Sequence, residues 1–201
     1  MLSYINYWDF DKFSSGNLEK YYYGRWEYIS EMISLIKKLD VKTVLELGPG
    51  KNTIVKNCDV MVKPKEDKWG RPMNKVNKEI VFDANEFPWP IEDKAYDLFI
   101  AAHVFEYLSN KQTKAFREVM RISKMAVITF PYLWNCSSGS SYYPESHMID
   151  KELISDWTLG VEPDKIITVR RTAIDVSRGR RLIYFWNFDE DKGRKDDNIG
   201  Y

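Results

Sequence analysis

Val41-Lys-Thr-Val-Leu-Glu-Leu-Gly-Pro-Gly50 reads as a short buried strand, Thr43 to Leu47, that runs straight into a glycine turn. Gly48 and Gly50 stand where the backbone bends sharply, or where a ligand comes closer than a Cβ would allow. Glu46 puts a carboxylate at the very end of the strand, the edge at which open α/β sheets form their ligand crevice. The pattern suits a ligand with a positive group, such as an amine or a sulfonium, held by a carboxylate and bare backbone.

Downstream, Lys51 to Asn57 is too short for a long helix, and a second strand follows over Asp59 to Val62. Lys65 to Lys78 is polar, contains Trp69, and reads as a long loop of the kind that often forms a lid. A third strand, Glu79 to Phe82, ends in Asp83, and Phe87-Pro-Trp-Pro90 makes a rigid apolar turn before the next. Tyr96 to Ala101 is a near-continuous apolar run, as a strand buried on both faces requires. Ala101-Ala102-His103 then falls at the same sheet edge as the glycine turn. Small side chains leave room there, and His103 is the natural proton acceptor near neutrality.

Ser109-Asn110 offers a cap for a helix reaching Ile122. Met125 to Phe130 forms a fifth strand, followed by an aromatic, serine-rich stretch from Leu133 to Pro144. His147 precedes a helix over Lys151 to Thr158 capped by Asp150, and is the best base candidate if the acceptor is a hydroxyl, while His103 is read first as a contact residue. Strands over Lys165 to Arg171 and Arg181 to Trp186 can pair as a hairpin. Upstream, Tyr22, Trp26, Ile29, Ile33, Ile36 and Leu39 recur at helical spacing, which predicts an amphipathic helix over Leu18 to Leu39. The reading divides the chain into a helical cap region at 1–40, a central domain at 41–188 and a charged tail at 189–201.

Leu45-Glu-Leu-Gly-Pro-Gly50, Phe82-Asp-Ala-Asn-Glu-Phe-Pro-Trp-Pro90 and Tyr96-Asp-Leu-Phe-Ile-Ala-Ala-His-Val-Phe-Glu-Tyr-Leu108 follow one another in the order and at the intervals of a known family. Together they resemble the class I methyltransferases dependent on S-adenosylmethionine (SAM), of the methyltransferase type 11-like kind. The resemblance covers roughly Val41 to Pro131. It implies a Rossmann-like α/β fold, a seven-stranded, mostly parallel sheet with one antiparallel strand and helices on both faces.

It also implies a cofactor site for SAM and its product S-adenosylhomocysteine (SAH), made by Glu46, Gly48, Gly50, Ala101 and His103. Asp83 would accept from the adenine amino group, and the amide of Ala84 would meet a ring nitrogen. The resemblance fails at two places. Asn52 stands where a third glycine is usual. Lys63-Pro64 stands where a ribose-binding carboxylate is usual, and lysine has no acceptor to offer. Either Glu66 or Asp67 then swings in from the loop to the ribose, or the ribose is held differently, or cofactor binding is weak or lost. Tyr21 or Arg25 could reach the methionine carboxylate, though packed tyrosines and a solvated Arg25 are the simpler reading. Glu106 matches a residue that supports the loop in the family.

Composition bounds the function. With Lys plus Arg equal to Asp plus Glu at 30 each, no global field draws the chain to nucleic acid or an anionic membrane. The two cysteines, Cys58 and Cys136, have neither metal-ligand spacing nor a disulfide framework, so no metal is expected. No apolar run is long enough to span a membrane, and no signal peptide is evident, so a cytoplasmic location is expected. Three functions remain in play. The first is methyl transfer by in-line displacement to a small-molecule or sugar (glycan) hydroxyl. The second is methylation of protein or nucleic acid, and the third a non-catalytic methyltransferase-like scaffold.

Overall fold

The computed structural model describes residues 2–9, 19–64, 72, 74–133, 149–170 and 180–189, without the side chains of 19–24. Seven strands form one sheet. In chain order the elements are β1 (Ser3–Tyr4), α1 (Glu19–Ile36), β2 (Val44–Leu47), β3 (Val55–Lys56), β4 (Asp59–Val62) and β5 (Glu79–Val81). There follow β6 (Tyr96–Ala102), a 3-10 turn (Phe105–Tyr107), α2 (Gln112–Ile122), β7 (Ser123–Tyr132), α3 (Lys151–Trp157), β8 (Lys165–Arg170) and β9 (Arg180–Asn187). The large sheet runs β5-β4-β2-β6-β7-β9-β8, and β1 pairs with β3 outside it. β9 alone runs opposite to the other six strands of that sheet. This is the expected fold class, hairpin included.

The sheet separates two cores, and the period-2 alternation of each strand assigns side chains between them. Leu45, Leu47, Phe99, Ala101, Ile128 and Phe130 face an aromatic core with Trp89, Phe116 and Trp186, closed by α2 and α3. Val44, Val60, Leu98, Ile100 and Val127 face the opposite core, where α1 contributes Tyr28, Ile29, Met32, Ile33 and Ile36. Strands with both faces covered must be apolar throughout, which is why β2 and β6 read as unbroken runs.

One segment gains a strand and one local expectation changes. The segment after the glycine turn holds no helix; Val55–Lys56 is extended and pairs antiparallel with Ser3–Tyr4. Nor do Ser109 and Asn110 cap α2. Both take left-handed backbone, φ 45° and 61°, and the N-cap is Lys111, with no side-chain cap bond. Ser and Asn suit tight turns as well as caps, and here the turn takes them. Asp150 does cap α3, its Oδ1 accepting from Leu153 N at 2.8 Å.

The far edge of the sheet is stapled by Asp97. Its Oδ2 accepts from the amides of Lys42 (2.9 Å) and Thr43 (3.0 Å), and its Oδ1 from Lys124 Nζ (2.9 Å). Partial burial alone would raise its pKa, but the Lys124, Lys42 and Thr43 bonds prevail and hold it well below the usual carboxylate range. A depressed native pKa means stability that is present above the unfolded value of ~3.9 and lost as pH falls below it. Asp97→Ala is therefore expected to lower the urea-unfolding free energy at pH 7 by about 2–4 kcal/mol. It should also flatten the stability–pH curve below pH ~4. An unchanged urea midpoint would show that the staple carries no weight.

Candidate active site

The carboxyl ends of the parallel strands meet at one edge. Gly48 follows β2 with φ 57°, and its amide donates to Met61 O on β4 at 2.9 Å. Gly50 has φ 65°, and among the described residues nothing lies within 4 Å of where a Cβ would stand. A Cβ on Gly48 would come within 3.2 Å of Val104 Cγ2, so the β6 exit touches the glycine turn. Both positions take left-handed backbone, which favours glycine.

Glu46 is 1% exposed. Its Oε2 accepts from Ile54 N at 2.8 Å, and the amide of Val55 also bears on the carboxyl. Burial pushes its pKa up to about 8, against the lowering pull of those two amides. The carboxyl thus ties the loop after the turn back onto β2.

At the end of β5, Asp83 Oδ1 accepts from Asn85 N (2.9 Å) and Asn85 Nδ2 (3.0 Å), while Lys111 Nζ donates to Asn85 O (2.9 Å). Desolvation opposes ionisation of Asp83, but Asn85, then Lys63 and Lys111, outweigh it and lower its pKa. Lys63 is exposed just past β4, and its charge acts on Asp83. Ala84 is buried, with its carbonyl taken by Trp89 Nε1 at 3.2 Å. Ala101 is buried within β6. Glu66, Asp67, Trp69 and His147 lie outside the described residues.

His103 leaves β6 with φ 56°, and its amide donates to Thr129 Oγ1 on β7 at 3.0 Å. Nδ1 lies 3.1 Å from Glu106 Oε1, and the two side chains are 7% and 1% exposed. A carboxylate can only accept, which places the ring proton on Nδ1 and the lone pair on Nε2. Tyr28 of α1 covers the ring at 4.9 Å between centroids. Among the described residues, Nε2 and Glu106 Oε2 are buried with no hydrogen-bond partner. Burial lowers the His103 pKa, Glu106 opposes this, and the charges of Arg181 and Arg25 add to the lowering. The ring is therefore neutral at pH 7.

No protein-family model matches the sequence, and no curated protein does. Solved structures do match. A chain from the complex of the Haloferax volcanii Trm112 methyltransferase activator with a methyltransferase is 13% identical, with TM-score 0.60 over 89% of this chain and 97% of that one. A SAM-dependent methyltransferase from Thermotoga maritima is 13% identical, with TM-score 0.59 over 89% and 97%. The N-terminal domain of EvdMO1, crystallised with SAH and D-fucose, is 10% identical, with TM-score 0.53 over 80% and 82%. The fold is that of the class I SAM-dependent methyltransferases.

On this fold the turn at Gly48 and Gly50 and the carboxylate of Asp83 stand at the carboxyl ends of β2 and β5, where a cofactor of that kind would be held. Glu46 is buried with its carboxyl engaged by Ile54 N, and Lys63 offers no acceptor for a ribose. Among the described residues no helix is long and apolar enough to cross a membrane, and no group of three or more His, Cys, Asp or Glu could hold a metal ion.

The residues that sequence reasoning missed are Tyr28, Thr129 and Arg181. Tyr28 and Thr129 reach His103 only through tertiary packing, and nothing local announces them. Arg181 did leave a signal, a charged residue at an inward position of an alternating strand.

Proposed function

We propose that the protein is a SAM-dependent methyltransferase whose acceptor is a small-molecule or sugar hydroxyl. The observation that carries this reading is His103 at the exit of β6, its Nδ1 3.1 Å from Glu106 Oε1 and its Nε2 buried and, among the described residues, without a hydrogen-bond partner. In this reading Glu46, Gly48, Gly50, Ala101 and the backbone at His103 hold the methionine end of the cofactor. Asp83 and Ala84 hold the adenine. When bound, SAM supplies an electrophilic methyl group on a sulfonium, transferred by in-line displacement.

The protein's own work is alignment, exclusion of water and removal of one proton. Alignment alone can contribute several kcal/mol of the barrier. His103 Nε2 accepts the hydroxyl proton, and Glu106 steadies the imidazolium that results. A thiol or a neutral amine needs no such base, so a buried base favours a hydroxyl. The Asp83 oxygen not engaged by Asn85 is available to an amino N–H. Asp83→Ala is expected to weaken SAH binding about tenfold, the worth of one charge-assisted hydrogen bond. Calorimetric affinity equal to wild type would remove Asp83 from the site.

Incubation with methyl-labelled SAM and a panel of hydroxy compounds, sugars included, tests the acceptor class. Label transferred to a hydroxyl supports the proposal, and transfer only to amines, peptides or RNA refutes it. A second reading, a non-catalytic domain of the same fold, draws its support from Lys63 in place of the ribose carboxylate.

A further inference from the structure

Five of the chain's ten arginines, Arg170, Arg171, Arg178, Arg180 and Arg181, fall within twelve consecutive residues of a chain with no net charge. Arg170, Arg180 and Arg181 flank the β8–β9 connection, and Arg171 and Arg178 lie outside the described residues. In the β7–β9–β8 register, Arg180 stands opposite Tyr132 and Arg170, and Arg181 opposite Pro131 and Val169. That is the carboxyl end of β7, the same sheet edge as His103. Alternation along β9 turns Leu182, Tyr184 and Trp186 to the aromatic core and Ile183 and Phe185 to the α1 side. Arg181 shares the face of Ile183, so it points toward α1, which carries Arg25 and Tyr28.

Arg181 is only 9% exposed. A guanidinium held that deep is costly unless anions surround it. The structure gives Arg181 interactions of its own, yet its fork of five N–H donors can serve several acceptors at once. The charges of both Arg181 and Arg25 reach the His103 ring. At that ring, His103 Nε2 and the Oε2 of its partner Glu106 are buried and, among the described residues, without hydrogen-bond partners. Buried polar atoms in folded proteins are nearly always satisfied, and orphans together mark a place for a polar ligand.

We infer that the methyl acceptor is a small hydroxy compound bearing an oxyanion, a carboxylate or a phosphate monoester, which Arg181 grips while the hydroxyl lies at His103 Nε2. This rests on the methyltransferase reading above and adds the acceptor's charge to it. A planar fork matches two oxygens of either group, and arginine is the side chain of choice for both. The burial of Arg181 favours a small acceptor over a nucleic acid, whose backbone is gripped by exposed cations spread along a surface.

The test uses the full chain saturated with SAH. Inorganic phosphate is titrated and followed by ³¹P line width, and acetate is titrated in competition. Wild type is expected to bind one of the two oxyanions in the millimolar range. Arg181→Gln should weaken that binding at least ~10-fold and leave SAH affinity within about twofold. Arg181→Lys keeps the charge and loses the fork. It is expected to fall between the two, and it serves as the informative variant if Arg181→Gln does not fold.

Tighter phosphate would identify a phosphate ester, and tighter acetate a carboxylate. Anion binding that is absent, or equal in all three proteins, would overturn the inference. So would a short single-stranded RNA that expels phosphate at submicromolar concentration. Failure of SAH to bind would overturn the methyltransferase reading itself, whereas SAH binding without Arg181-dependent anion binding would overturn only this step.

Discussion

Glu46→Gln is expected to weaken SAH binding about 10- to 100-fold at pH 8.5, the loss of a charge-assisted contact to the ligand's ammonium group. The argument starts from burial. Glu46 lies within β2 with the amides of Ile54 and Val55 on its carboxyl, and its pKa is pushed up to about 8. At neutral pH the ligand-free protein therefore holds it mostly protonated. A cation favours the carboxylate, so binding should expel a proton, and wild-type affinity should rise between pH 6 and 8 toward a limit of about tenfold per unit. Glutamine keeps the shape and an acceptor for one amide but has no proton to lose, so this slope should vanish.

The same shift has a stability consequence of definite sign. A folded pKa above the unfolded value of ~4.3 gives stability that is fully present below that value and lost as pH rises through about 8. Ligand-free wild type should accordingly lose stability from pH ~4.5 to 8, and SAH should restore it most at the alkaline end. An SAH affinity in Glu46→Gln that matches wild type in size and pH slope would leave Glu46 as a loop tie alone.

His103→Asn is expected to lower kcat by about 10²–10⁴-fold with little change in SAH affinity, the range for loss of a positioned general base. Burial, aided by Arg181 and Arg25, depresses the His103 pKa despite Glu106. The wild-type rate should then be flat around neutrality and fall only on the acid side, below the ordinary histidine value of ~6.5. Glu106→Gln tests orientation rather than presence of the base, and should reduce kcat less than His103→Asn while altering the acid limb. A kcat unchanged in His103→Asn would point to an acceptor that needs no base.

Much of this fold could be read from the chain because local pattern and tertiary role coincide. Tyr96–Ala102 is apolar throughout because both faces are covered, and Asp150 caps the helix it precedes. Where local chemistry is ambiguous the reading failed. Ser109 and Asn110 serve a left-handed turn equally well, and Val55–Lys56 becomes a strand only because Ser3–Tyr4 arrives from far away in sequence. The site divides the same way. Glu46, Gly48, Gly50, Asp83 and His103 belong to strand-end motifs that the sequence displays. The cover of Tyr28 over His103 arises from packing between distant elements, which no local pattern encodes.

The most direct test of the central claim is calorimetric titration of the full chain with SAH and with SAM. Binding in the micromolar range, weakened in Glu46→Gln and in Asp83→Ala, is the predicted result. No heat and no thermal shift at millimolar ligand would contradict it, and would leave the fold without its cofactor.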